Sequence, residues 1–297
     1  MLMEDFIINV FCVIDDLINF SLKGKKLRQR GFEPDLSDSE VITMEIVAEH
    51  QGIDTDKGAW KYFVDHWHGW FPKIGSRSNF AKHAANLWGI KQRIQKELSK
   101  RLGALADEMH IADGFPIPVC GITRSRRSRI FRGEAGYGYC ASKDEKYYGF
   151  KGNILINTEG VITDITVTAA NVDERESLWD IVQSIRGVVL ADKGLIGQDF
   201  QEELKKHTGV YLWTPKRYNM KAKREPPKLR RFLTATRRLV ETVIGQLTEQ
   251  FNIEKVRARK LWYFTHRIVR KVLAHTVCVF INKLLGNPAL QLERLAC

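Results

Sequence analysis

The sequence predicts an α/β protein, with a mixed sheet flanked by helices and a helical N-terminal domain ahead of it. Three observations predict this. Residues 1–100 carry apolar positions at helical spacing between helix caps. Near residue 107 the texture changes to short β-branched runs that alternate with helical ones. A chain of 297 residues is long enough for a main core plus a smaller companion. The expected division is a helical domain over 1–105, a candidate DNA-binding module, and a mixed-sheet domain with C-terminal helices over 106–297.

Each element has its own signal. MLMEDFIINVFCVIDDLINF is apolar enough to mimic a signal peptide, but it lacks a basic start and a small-residue cleavage site. Glu4, Asp5, Asp15 and Asp16 interrupt it, so it reads as an amphipathic helix. LSDSEVITMEIVAEHQG carries a capping box, Ser37 with Glu40 three residues on. AWKYFVDHWHGWF and SNFAKHAANLWGIKQRIQKEL are helical, separated by Pro72 and Gly75. Trp60, Phe63, Trp67, Trp70 and Phe71 read as a small core, with a base-stacking surface as the alternative.

MHIADGFPIPV then reads as a strand ending in turn chemistry after Asp113, and YYGFKGNILINTEGVITDITVTAAN as a hairpin around Asn157–Gly160. ERESLWDIVQSIR is helical, GVVLADKG a strand, QDFQEELKKH a helix and GVYLWTPKR a strand. Long helices close the chain. The stretch from Leu261 to Leu285 is expected to pack on the sheet, with a dimer contact as the alternative. The order of these elements is that of an RNase H-like domain.

The formal net charge of +12 favours a polyanionic partner. Two basic runs stand outside the regular elements. TRSRRSRIFR contains Arg124, Arg126, Arg127, Arg129 and Arg132; KRYNMKAKREPPKLRR contains Lys221, Lys223, Arg224, Lys228, Arg230 and Arg231. Such runs are solvated loops or phosphate contacts, and their closeness in sequence to the acids described next favours phosphate. Five scattered cysteines, without CxxC spacing, suit a reducing cytoplasm and argue against zinc. The late apolar stretch is too short to span a bilayer, and no membrane is expected.

Three carboxylates stand out. Asp113 follows Ile111-Ala112, and Asp192 follows Val188, Val189, Leu190 and Ala191, all expected to be buried. An ionised group at the tip of a buried strand is costly unless a positive charge compensates for it. A hard divalent cation would do so through oxygen ligands. Glu241 lies on a helix whose Val240, Val243, Ile244 and Leu247 form an apolar stripe, with Arg237 one turn before it. Asp164, Asp173 and Glu174 lie in the same half of the chain, and composition alone does not exclude them.

From Ile111 to Lys255 the chain resembles the DDE transposases of bacterial insertion sequences. The resemblance rests on ADGFPIPVC, YGYCASK, YYGFKGNILINTEGVITDITVTAANVDE, VLADKGLIG and RRLVETVIGQL, in that order, and is strongest to the insertion-sequence family 982 group. It extends more loosely to FPKIGSRSNF. The resemblance implies that Asp113, Asp192 and Glu241 are catalytic ligands for two Mg²⁺ or Mn²⁺ ions, and that the reaction is phosphoryl transfer. It implies double-stranded DNA as partner, both transposon ends and target, a homodimer on DNA, and a bacterial, nucleoid-associated setting in the cytoplasm. The related groups carry a Tyr, Arg, Glu, Lys signature around the glutamate. Arg237 and Glu241 match it, whereas Thr234 and Thr248 stand at the Tyr and Lys positions. Lys151 and Lys193 are the substitutes considered for phosphate contact, a plain structural role being the alternative for each. Two other readings stay open: a non-catalytic DNA-binding remnant, and an RNase H-like nuclease that cuts without joining.

Overall fold

A computed structural model describes residues 1–28, 33–141, 143–215 and 226–295. The chain runs α1 (Met3–Leu22), α2 (Asp38–His50), α3 (Asp56–His66), α4 (Arg77–Asn86), α5 (Trp88–Arg101), β1 (Met109–Gly121), α6 (Ile122–Ser125), β2 (Gly136–Cys140), β3 (Glu145–Asn157), β4 (Ile162–Ala169), α7 (Glu174–Ile181), β5 (Gly187–Leu190), α8 (Gln198–Thr208), β6 (Val210–Trp213), α9 (Pro227–Glu249) and α10 (Leu261–Leu284). Its contacts divide it into two compact units, one of Met1–Leu98 with Leu247–Cys297 and one of Ser99–Gln246.

The first unit is helical. Helix α2 opens on the expected capping box: Glu40 N donates to Ser37 Oγ at 3.1 Å, and Ser37 N to Glu40 Oε2 at 2.6 Å. Thr55 and Ser76 cap α3 and α4 through their side chains. Helices α2 and α10 are buried on nearly all sides, and α10 packs on α2, α4 and α1. That corrects the expectation that Leu261–Leu285 lies on the sheet. The physical reason is charge. Arg270 donates to Glu49 and Asp56, at 2.6 Å each, and Lys271 to Glu49 at 2.9 Å. Those fully buried cations have their counter-ions on α2 and α3, so α10 belongs there. Of the early aromatics, Phe63 and Phe71 meet edge to face in the core at 4.9 Å, while Trp70 is exposed against Trp67.

The second unit carries the sheet, in the order β2-β3-β1-β5-β6, with β4 also paired to β3. One edge of β3 pairs with β1; the other pairs first with β2, over 145–149, and then with β4. Those pairings are antiparallel, whereas β1-β5 and β5-β6 are parallel. This mixed sheet flanked by helices is the RNase H-like arrangement the sequence predicts. The β3-β4 turn is the expected one: Gly160 takes a positive φ, and the Asn157 side chain accepts from the backbone of Glu159 and Val161. A core of Leu155, Leu178, Ile181, Val182, Val189 and Leu212 joins the sheet to its helices. No helix among the described residues is long and apolar enough to cross a membrane. Cys12, Cys120, Cys140 and Cys278 are not in disulfides.

Two elements differ from expectation. Strand β1 does not end at Asp113 but continues for eight residues, held by β3 through a bulge between Pro118 and Cys120. Strand β2 falls in a segment with glycine at alternate positions, which weakens any strand signal. Those glycines are required by packing. A Cβ on Gly138 would stand 2.8 Å from the Ala170 methyl and from the Tyr147 ring.

Candidate active site

The parallel ladder between β1 and β5 ends at the pair Ile111–Leu190. Two residues beyond that pair stand Asp113, still on β1, and Asp192, past the end of β5. Beyond Leu190 the chain leaves β5, so β1 loses its neighbour on that side just where Asp113 stands. The Asp113 carboxylate turns back to accept from Gly114 N at 2.8 Å. The opening left by β5 meets two cavities, and both are lined by Ala112, Asp113 and Asp192.

The larger cavity, about 410 Å³, opens toward α9 and is walled by Trp213, Pro215, Leu233, Thr234, Arg237 and Val240. Arg237 Nε donates to Glu241 Oε1 at 3.0 Å, and both side chains are largely exposed. Glu241 thus stands one helical turn beyond the cavity wall, tied to a residue that forms it. The smaller cavity, about 20 Å³, opens toward α7 and adds Gly114, Asn153, Glu174, Leu178 and Leu195. That is room for about one water-sized particle.

The Asp113 carboxyl is pushed up to about 6. Burial is the largest cause, and the charges of Asp192 and Glu174 add to it; the Gly114 N–H and Arg237 oppose it. A carboxylate under this strain is short of positive charge. Asn153 is buried to 6% exposure and its Nδ2 has no hydrogen-bond partner. A desolvated Asp113 beside two further carboxylates and an unused amide donor suits a hard divalent cation with water or phosphate oxygens in its shell.

The predicted residues divide as follows. Asp113, Asp192 and Arg237 share the larger cavity. Lys151 sits on β3 and binds Glu174 at 3.2 Å. Arg124, Arg126, Arg127 and Arg129 lie exposed on and just after α6. The Lys193 side chain, the Arg230 side chain and all of Lys221, Lys223 and Arg224 lie outside the described residues. Lys228 and Arg231 are exposed on α9. Glu174 and Asn153 were not singled out as site residues. The available signal was the Asp173-Glu174 pair after a hairpin, since Asp173 caps α7 through its side chain and places Glu174 in the first turn.

Among the described residues, one group of three metal-type side chains has its ligating atoms all within 4.8 Å: Glu45, Asp56 and His266, in the helical unit. Asp113, Asp192 and Glu241 do not converge that closely. The helical group already has its cations, with Lys91 bound to Glu45 and Arg270 to Asp56. It reads as a structural ion-pair network.

The family described as Transposase DDE domain matches residues 103–261, more than half of the chain. The chain belongs to that family of DDE transposases, whose members are metal-dependent enzymes acting on DNA. Comparison with curated proteins and with solved structures yields no match.

Proposed function

We propose that this transposase cleaves transposon ends and joins the freed 3′-OH to target DNA, with Asp113, Asp192 and Glu241 as its catalytic carboxylates. The observation that carries this reading is the meeting of Asp113 and Asp192 where β5 ends, facing a cleft whose far wall is the helix of Glu241. Two divalent cations, Mg²⁺ or Mn²⁺, held by these carboxylates would activate the attacking oxygen and stabilise the leaving one. Asp113 supplies its oxygens from strand β1, and Asp192 from the segment that follows β5. Arg237 now holds Glu241, and its planar fork equally suits phosphate oxygens. Binding of DNA would transfer Arg237 to a phosphate and free Glu241 for the cleft. Arg124, Arg126, Arg127 and Arg129, with Lys151 and Lys193, are proposed DNA contacts. The helical domain proposed for 1–105 would contribute to DNA recognition, and the joining of two ends favours a homodimer.

Asp113→Asn, Asp192→Asn and Glu241→Gln should each lower strand cleavage by about a thousandfold or more while leaving DNA binding within a few-fold. The assay is Mg²⁺-dependent nicking and strand transfer on end-containing duplexes, with binding followed by fluorescence anisotropy. Full cleavage by any one variant removes that residue from the catalytic set. Nicking without transfer into a second duplex would replace the joining reaction with a nuclease.

A further inference from the structure

The cleft toward α9 accounts for Asp113, Asp192, Arg237 and Glu241, but not for what faces the same two aspartates from the other side. There the Glu174 carboxylate spans the gap between their chain neighbours. Its Oε1 lies 3.7 Å from where a Cβ on Gly114 would stand, and its Oε2 lies 3.5 Å from that position on Gly194. Gly114 follows Asp113, and Gly194 is two residues beyond Asp192. Lys151 takes Oε1, so Oε2 is the oxygen on the Asp192 side. The second wall of this cavity is the Asn153 amide, buried and with Nδ2 unused.

We propose that Glu174 is a fourth carboxylate of the catalytic centre, holding through Oε2 the one of the two cations that sits on the α7 side of Asp113 and Asp192, with Asn153 Nδ2 donating to an oxygen in that cation's shell. Glu241 then serves the cation on the α9 side. This rests on the two-cation reading above. The two cavities share Ala112, Asp113 and Asp192 and nothing else, so one pair of aspartates can serve two positions, each completed by its own glutamate. Like charges around a water-sized space repel one another. That accounts for carboxylates that surround the cavity without closing on it, and a cation would draw them in. A purely structural Glu174 would explain the Lys151 pair, but not why Asn153, whose buried Nδ2 has no partner, lines the same cavity.

The test is Mn²⁺ binding to the full chain without DNA, by calorimetry and by electron paramagnetic resonance. The unaltered protein should take up two ions that show Mn–Mn coupling. Glu174→Gln should weaken one of the two sites by about tenfold or more and abolish the coupling, keeping the other site. Glu174→Asp should restore part of the loss. Lys151→Gln, which breaks the ion pair but keeps the carboxylate, should retain both ions. Two ions bound as tightly by Glu174→Gln as by the unaltered chain would overturn the proposal, as would equal losses in Lys151→Gln. If Asp113→Asn leaves Mn²⁺ binding unchanged, the two-cation reading itself falls. If Asp113→Asn loses binding while Glu174→Gln does not, only the role of Glu174 falls. Thermal melting of each variant separates a lost site from a lost fold.

Discussion

Asp113 is held in a state that opposes its own charge. Burial, then Asp192 and Glu174, raise its carboxyl to about 6, against an unfolded value near 4. A group whose folded pKa is raised contributes stability when protonated, and that stability is lost as the pH rises through the folded value. Without divalent cation, Asp113→Asn should therefore be more stable than the unaltered chain at pH 7.5. The gain should be about 1–2 kcal/mol after allowance for solvent screening, and it should vanish near pH 4. Chemical denaturation at the two pH values in a chelator measures it, and equal stability at pH 7.5 would show that the site carries no charge strain. Added Mg²⁺ should reverse the order, because the cation supplies what Asn cannot use. The strain is the residue-level mark of a site built for a partner.

Among the elements, α10 depends most on a few polar side chains. Arg270 ties it to α2 through Glu49 and to the start of α3 through Asp56. Burial alone would raise the Asp56 carboxyl; the neighbouring His266, Arg270 and Arg267 overcome that and hold it well below the usual range. Its contribution is then present above about pH 4 and lost as the pH falls below it. Asp56→Asn should cost about 3–5 kcal/mol at pH 7, since it leaves Arg270 short of a counter-charge in the interior. The gap between variant and parent should narrow below pH 4, as followed by helical circular dichroism during urea titration. An unchanged gap would assign the loss to packing instead.

The same elements show what could be read from the chain. The capping box, the hairpin and the alternation of strands with helices are local signals, and they gave the second unit its order. Asp113 and Asp192 were legible because apolar runs lead into both. Three things were not. Strand β2 uses glycines chosen by their neighbours' bulk, and a sequence does not display those neighbours. The address of α10 is set by acids more than two hundred residues earlier, a long-range pairing with no periodic trace. Glu174 reads as an ordinary first-turn acid until the register of β1 against β5 brings both aspartates level with it.

At the scale of the molecule, the sheet unit is inserted between two stretches of sequence that build one helical unit. A fragment of residues 1–98 keeps Glu45, Glu49 and Asp56 but lacks Arg270 and Lys271. Only Lys91 is left among the cations of that network, so three acids face one counter-charge. The fragment alone should remain largely unfolded by circular dichroism. Adding residues 247–297 as a second chain should raise its helicity in a concentration-dependent way. Cooperative folding of 1–98 by itself would show that the network is dispensable.

The late arrival of Arg270 has a consequence for how the chain is made. A ribosome delivers the acids of α2 and α3 early together with Lys91, and Arg270 and Lys271 only after the three proposed catalytic carboxylates have been synthesised. Through that interval Glu49 and Asp56 lack the cations that α10 brings to them. A product cut short by a frameshift or stop between α9 and α10 would carry Asp113, Asp192 and Glu241 without Arg270 and Lys271, and should be more exposed to proteolysis. The buried charges of Glu49 and Asp56 are thus balanced only once α10 has been made.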